Sequence, residues 1–180
     1  MTNKKSLVGS VFICMMLLLP LQSQARGSVG AYIGFGFGHG VRDEISPTTD
    51  EAGLANKLYL GFRIMGPIGV EFGFHDLGTY NDGDDDYSAS SYAAVYTVTT
   101  KSATLFVKAG MADWTFKDVP NNTEISEVDL MYGFGINLPI SPRLFFRTEW
   151  ETFMDVGEDP AGPTPGRDVN HINFGMNYMF

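Results

Sequence analysis

Apolar residues recur at every second position in the last segment of the chain, residues 170–180. The apolar side chains are those of Ile172, Phe174, Met176, Tyr178 and Phe180, and mostly polar or small residues separate them. A period of two is typical of a β-strand, whose successive side chains point to opposite faces. The segment has about the length that a tilted strand needs to cross a bilayer. Because it ends the chain on an aromatic residue, it indicates the closing strand of a transmembrane barrel.

The same alternation predicts seven further strands. Together the eight predicted strands cover residues 28–38, 56–64, 68–76, 92–99, 104–113, 128–138, 143–153 and 170–180. The first strand carries glycine at nearly every second position, which suits a narrow, filled interior better than a soluble core. In residues 92–99 the two faces are too alike to orient the strand.

The connections between these strands alternate in length. Long polar segments are predicted at residues 39–54, 77–90, 114–127 and 155–167, and short turns lie between the other pairs of strands. Long connections outside and short turns in the periplasm are typical of outer-membrane barrels. We therefore predict an all-β fold, an eight-stranded antiparallel up-and-down transmembrane β-barrel that follows a cleaved signal peptide.

The N-terminal segment predicts export. Lys4 and Lys5 precede the apolar run 11–19, and Ser23 and Ala25 mark a small-residue cleavage site. The apolar run is shorter than the ~18–20 residues of a spanning helix, which argues against an uncleaved anchor. We predict a signal peptide at residues 1–25 and a barrel domain at residues 26–180. The single cysteine, Cys14, lies in the predicted signal peptide, so no disulfide framework is expected.

The charge of the chain argues against one class of partner and supports the barrel. The formal net charge is −9, and removal of two lysines with the signal peptide makes it more negative. Nucleic acid is therefore not an expected partner. Of the 21 acids, all but Glu71, Glu149 and Glu151 fall in or next to the four long connections, which predicts acidic extracellular loops.

Five segments carry a resemblance to a known family. They read GAYIGFGFGHG, GVEFGFHDLG, LFVKAGMADW, RLFFRTEWETFMDVG and INFGMNYMF. With these segments the chain resembles the small eight-stranded outer-membrane barrels of the OmpA-transmembrane, OmpX and Ail type. The resemblance implies a place in the outer membrane, contact with its lipid and lipopolysaccharide, and no cofactor. It also implies that the barrel-assembly machinery reads the terminal strand, with Tyr178 and Phe180 as the assembly signal.

Charged and histidine side chains fall on the strand faces predicted to point inward. They are Lys57, Arg63, Glu71, His75, Lys108, Asp129, Arg147, Glu149, Glu151 and His171. An eight-stranded barrel is just wide enough for side chains to fill it, so these groups must satisfy one another. We predict a lumen closed by a polar network, in which Arg63 and Glu71 face each other across a hairpin. The alternative is a gated pore in which Lys108 and Arg147 exchange carboxylate partners.

Two further kinds of site receive weaker support. The cluster Asp82–Asp86 has the carboxylates of a divalent-cation loop but not its spacing, so a solvated loop is favoured. The three histidines, at positions 39, 75 and 171, are too scattered in sequence to indicate a metal site. No catalytic residues are predicted, because His171 lacks the serine two positions away that deacylase barrels of this size carry.

The sequence thus predicts an integral outer-membrane β-barrel protein with a structural or surface-interaction role, such as adhesion or envelope stability. Its lumen is expected to be polar and filled, and an extracellular ligand is expected to bind the loops. The first alternative is a narrow gated channel for small solutes or ions, and the second is a soluble periplasmic β protein. Nothing in the sequence identifies the ligand, because variable loops determine it.

Overall fold

The computed structural model describes residues 30–42, 52–80, 85–118, 123–156 and 167–180 and consists of eight β-strands. The strands are β1 (Gly30–Arg42), β2 (Ala52–Met65), β3 (Ile68–Tyr80), β4 (Asp85–Thr99), β5 (Thr104–Asp118), β6 (Thr123–Pro139), β7 (Leu144–Val156) and β8 (Arg167–Met179). Each strand pairs antiparallel with the next, and β8 pairs with β1 to close the barrel. In the described ranges, no helix has the length and apolarity to cross a membrane. The predicted all-β fold, an eight-stranded antiparallel up-and-down barrel, is confirmed.

The large apolar side chains point out of the barrel. Phe35, Phe74 and Phe134 are about half exposed, at 47%, 47% and 55%, whereas their neighbours along each strand face the lumen. The structure also orients β4, where Tyr92 and Tyr96 point outward. In water such a surface would be costly, so this face requires an apolar solvent.

The strands continue well beyond their predicted ends. They are 13 to 17 residues long, more than the ~9–11 that a tilted transmembrane strand needs. The predicted loop 77–90 is largely strand, because β3 runs to Tyr80 and β4 starts at Asp85. The predicted loop 114–127 is corrected in the same way by β5 and β6. Only four residues separate the strands in each of these two connections, so here the rim is extended by projecting strands and not by long loops.

The outer surface shows where the apolar band ends. In β3 apolar residues point outward from Ile68 to Phe74, and the next outward residue is Asp76. In β2 the outward residue after Leu58 is Asn56, whose Nδ2 donates to Asp76 Oδ2 at 3.5 Å. On β2 and β3 the continuous apolar band therefore ends at Leu58 and Phe74, on the side of the barrel next to the short turns.

Glycines on the inner face make room for large side chains. A Cβ atom at Gly61 would overlap the ring of Tyr32, and one at Gly34 would overlap the ring of Tyr59. These two tyrosines pack edge to face, with ring centroids 6.2 Å apart. Gly34 of β1 and Gly61 of β2 therefore each make room for an aromatic ring from the other strand.

The lumen differs between its two halves. Buried apolar side chains fill the half that lies toward the projecting strand ends; we call them the apolar cluster, and they are Leu77, Tyr87, Ala89, Ala93, Ala112, Trp114, Met131, Phe153, Val156 and Val169. Trp114, predicted to begin a loop, is fully buried here. The prediction of a polar lumen is therefore wrong for this half and holds only for the half described below.

Two predicted features fall outside the described residues. The signal peptide at residues 1–25 is one of them, and it stays a prediction. The cluster Asp82–Asp86 is described only at Asp85 and Asp86, which belong to β4.

Candidate functional site

Six charged side chains are buried together in the lumen. They come from β2, β3, β5 and β7, and we call them the ionic cluster: Lys57, Glu71, Lys108, Arg147, Glu149 and Glu151. β7 supplies three of them because residues two apart on a strand share a face. All six are at most 4% exposed. Three cations face three carboxylates, so the buried charge balances.

Glu71 contacts every cation of the cluster. Its Oε1 lies 3.3 Å from Lys57 Nζ and 3.1 Å from Lys108 Nζ. Arg147 donates to Oε1 at 3.1 Å through Nη2, and its Nη1 lies 2.9 Å from Oε2. Tyr32 adds a hydroxyl hydrogen bond to Oε2 at 2.9 Å. Removal of this one carboxylate would therefore leave three cations under-neutralised.

The two lysines also link the carboxylates of β7. Lys57 Nζ is 2.5 Å from Glu149 Oε1 and 3.0 Å from Glu151 Oε1. Lys108 contacts the same two oxygens. Lys108 and Arg147 both contact Glu71 and Glu149. An exchange of partners between these two cations, as in the gated-pore alternative, would therefore leave the lumen equally filled.

Arg147 closes the cluster toward the short turns. Its guanidinium lies 4.4 Å from the ring centroid of Tyr59 and 4.0 Å from that of Phe106, and its Nε donates to Glu149 Oε2 at 2.5 Å. A cavity of about 30 Å³ lies beside it, at the mouth that Arg63 also lines. This space has room for one or two waters and is too small to form a continuous channel.

Arg63 does not take the predicted position. It pairs with Gly69, while Glu71 pairs with Gly61, because the turn centres between Gly66 and Pro67 and is followed by a register shift. The prediction assumed a hairpin symmetric about Pro67. Arg63 is half-buried at the mouth of the barrel, and the ionic cluster forms without it.

Asp129 also lies apart from the ionic cluster. Its Oδ2 accepts a hydrogen bond from Trp114 Nε1 at 2.6 Å, which satisfies the polar atom of a ring that is otherwise held in the apolar cluster. Asp129 thus fixes the orientation of Trp114 in the half of the lumen that the apolar cluster fills.

His75 and His171 meet beside Glu151, between the ionic and apolar clusters. Their ring centroids are 6.2 Å apart, and both side chains are buried. The sequence placed both histidines toward the interior, so a contact was possible, but it favoured a role in the polar network over a metal site. The available signal was the period of two, which places both histidines on the inner faces of their strands. With Glu151 they form a group of metal-ligand type.

Charge is distributed unequally between the two ends of the barrel. The strand ends at the long connections carry nine acids in the described residues, apart from Asp129 in the lumen. We call them the acidic rim: Asp76, Asp85, Asp86, Asp113, Asp118, Glu124, Glu127, Asp155 and Asp168. The same strand ends carry the three bases Arg42, Lys117 and Arg167. The short turns carry Lys101 and Arg143 and no acid.

Comparison with known proteins matches this architecture. The family model described as outer membrane protein beta-barrel domain matches residues 11–180. The structure is similar to Neisserial surface protein A, with a TM-score of 0.67 and 12% identity over 83% of this chain and 97% of that chain. It is similar to Ail, the attachment invasion locus protein of Yersinia pestis, with a TM-score of 0.58 and 17% identity over 85% and 99% of the two chains.

A third similar structure is the N-terminal β-barrel domain of OprF from Pseudomonas aeruginosa. Its TM-score is 0.54, with 14% identity over 83% of this chain and 99% of that chain. At these identities the similarity concerns the fold. A search of curated proteins found no significant match.

Proposed function

This chain belongs to the outer membrane protein beta-barrel domain family, and on that premise we propose that it is a non-conducting surface protein of the outer membrane. In this proposal the barrel is an anchor in the lipid, and the acidic rim with its connecting segments binds other molecules. The proposed role is adhesion or envelope stability, and no catalytic step is assigned to any residue.

The filled lumen is the observation that carries the proposal. The ionic cluster occupies one half and the apolar cluster the other, so water and ions would have to displace two different packed layers. Separating paired buried charges costs several kcal/mol, and opening the apolar layer would expose rings such as Trp114. A lumen filled by these two clusters supports a barrel that anchors the protein and does not conduct, and it argues against the channel alternative.

The charge of the rim indicates the chemistry of the partner. One structure of Ail contains the heparin analogue sucrose octasulfate, a polyanion. Here the rim carries an excess of acids over bases, so we expect a basic partner surface instead. Lipopolysaccharide is anionic, and its contact with this rim would therefore require bridging Mg²⁺ or Ca²⁺.

Assembly in the membrane is a further part of the proposal. Residues 1–25 would be removed as a signal peptide, and the barrel-assembly machinery would read the exposed rings of Tyr178 and Phe180. Support comes from the end of the chain, where Phe180 N donates to Ala31 O at 3.0 Å across the β1–β8 closure. The two rings pack with centroids 5.3 Å apart on the outer face.

A charge-reversal experiment tests the proposed binding surface. The double variant Asp86→Lys and Asp113→Lys is compared with the wild type for retention of nanodisc-embedded protein on a polylysine-coated sensor. We expect retention to fall about tenfold, because each exposed charge contact contributes ~0.2–1 kcal/mol. The matched control, Ser88→Asn with Thr115→Asn, changes outward positions of the same two strands without charge and should bind like the wild type.

Two outcomes would contradict the proposal. Equal loss in the neutral control would show that the charge of the rim is not the determinant. In planar bilayers, we expect the wild type to produce no conductance steps under conditions in which a general porin does. Regular steps from the wild-type barrel would establish the channel alternative in its place.

A further inference from the structure

We propose that His75, Glu151 and His171 form a binding site for one divalent transition-metal ion, with Zn²⁺ as the best fit. Two imidazoles and one carboxylate are a ligand set that Zn²⁺ takes in proteins, with a fourth position left for water. Imidazole nitrogen suits late first-row metals, whereas Mg²⁺ and Ca²⁺ prefer oxygen alone. The site lies inside the barrel and is independent of the rim and its partner.

The spacing of the ligand atoms agrees with a single ion. Glu151 Oε2 is 3.4 Å from His171 Nδ1 and 3.9 Å from His75 Nδ1. The group offers one ligand atom from each residue, all within 4.8 Å of one another. Ligands around a tetrahedral zinc with bonds of ~2.0–2.1 Å are about 3.4 Å apart. Small side-chain rotations would therefore bring all three atoms to bonding distance.

Three of the four histidine nitrogens form no hydrogen bond with the protein, although both Nδ1 atoms lie within 4 Å of Glu151 Oε2. His75 Nδ1 and both ring nitrogens of His171 are buried without a hydrogen-bond partner among the protein atoms. Burial of a polar group without a partner costs about 1–3 kcal/mol, and buried polar groups are satisfied in the great majority of proteins. A metal ion at Glu151 Oε2 would satisfy two of these three nitrogens at once.

The surrounding residues orient the ligands as outer-shell partners do in metal sites. Ser91 Oγ lies 2.8 Å from His75 Nε2, so this nitrogen can carry the proton and leave Nδ1 free to bind. Asn173 Nδ2 donates to Glu151 Oε2 at 3.1 Å. The ring of Phe153 packs edge to face on His75, with centroids 4.9 Å apart, and holds the imidazole in place.

The charge of the neighbouring cluster limits the expected affinity. Lys57 and Lys108 both contact Glu151 Oε1, so the carboxylate presents Oε2 to the ion while its other oxygen stays paired. A divalent ion adds positive charge to a cluster that already balances. We therefore expect weaker binding than at a structural zinc site with several thiolate ligands, and binding that requires neutral imidazoles.

The test uses the mature chain without a polyhistidine tag, in nanodiscs. Zn²⁺ is added either during refolding or afterwards, because the site is enclosed on both sides. Bound zinc is counted by mass spectrometry after removal of free ion, and the ¹⁵N shifts of the imidazoles are recorded. We expect one zinc per chain, shifts at His75 and His171, and a melting temperature that rises with zinc concentration.

Variants distinguish this site from adventitious binding. His75→Phe and His171→Phe should each reduce zinc affinity more than ~100-fold, and Ser91→Ala should reduce it by ~10–100-fold. His39→Phe replaces the exposed histidine and should bind zinc like the wild type. Heat-modifiable gel migration identifies variants that have folded. If a phenylalanine variant fails to fold, the zinc affinity of Ser91→Ala and the imidazole shifts of the wild type show whether zinc binds at His75 and His171.

The proposal is overturned by either of two results. One is a wild-type barrel that retains no zinc after both loading procedures. The other is zinc whose retention depends on His39 or leaves the His75 and His171 shifts unchanged.

Discussion

Replacement of Glu71 by glutamine is expected to lower the free energy of unfolding of the barrel by about 3–5 kcal/mol, the cost of breaking a buried ion pair by removing one partner. Glutamine keeps the volume and removes the charge. Lys57, Lys108 and Arg147 would then share two carboxylates, and all three cations are buried. The measurement is urea unfolding of the barrel in lipid vesicles, followed by heat-modifiable migration.

The control for this prediction is an acid of the rim. Asp113→Asn removes one charge from an exposed position and should change stability by less than ~0.5 kcal/mol. If Glu71→Gln were as mild as this control, the ionic cluster would not be the paired network described above.

A second variant separates charge balance from loss of contacts. Lys108→Met removes a cation while it keeps most of the side-chain length, so the double variant with Glu71→Gln again has equal numbers of buried cations and carboxylates. We expect the double variant to be more stable than the sum of the single effects predicts, by ~0.5–3 kcal/mol. Additive effects would mean that the two charges act independently, against the contact of 3.1 Å between them.

Arginine at position 134 is expected to reduce stability by ~2–4 kcal/mol, the cost of a cation on the lipid face near the bilayer midplane. Phe134 points outward on β6 and is 55% exposed, and its ring packs near Trp150 with centroids 5.2 Å apart. Arginine there would lose this contact and enter hydrocarbon. Unfolding in vesicles of one lipid composition gives the difference from the wild type.

The matched control uses the same strand and the same face. Ser126→Arg places the cation outward on β6 at the projecting end, where the cost should be only ~0–1 kcal/mol. Similar destabilisation at both positions would indicate a protein core or a uniform polar solvent around β6, and not a membrane.

The orientation of the strands was predictable from the sequence because it depends on a period of two. A charge such as Glu71 and a ring such as Phe72 occupy opposite faces in any strand that contains both. The strand count followed in the same way. The two faces of β4 were too alike to orient from the sequence. In the structure, the place of β4 in the closed barrel determines which face points inward.

The ends of the strands were not predictable, because polar residues on a wet sheet and on a loop look alike. Ser88 and Thr115 pair across β4 and β5, although each lies in a segment that the sequence predicts as a loop. Trp114 was missed as a lumen residue for the same reason. Its burial depends on neighbouring strands that project as far as β5 does, and this information is not local to the segment.

Contacts between side chains of distant strands, across the lumen, were also not predictable from the sequence. The hairpin register that separates Arg63 from Glu71 depends on one turn geometry and one register shift. The meeting of His75 and His171 depends on the width of the barrel and on the relative height of β3 and β8. Sequence pattern gives the face of a residue but not its height relative to residues on distant strands.

Fluorescence of the two tryptophans in brominated lipid tests the central claim, that the apolar faces meet lipid while the lumen is filled by protein. Trp150 faces outward, whereas Trp114 is 0% exposed inside the barrel. Brominated lipid should strongly quench the variant Trp114→Phe, which retains Trp150, and should leave Trp150→Phe nearly unquenched. Equal quenching of both variants, or stronger quenching of Trp114, would contradict the account.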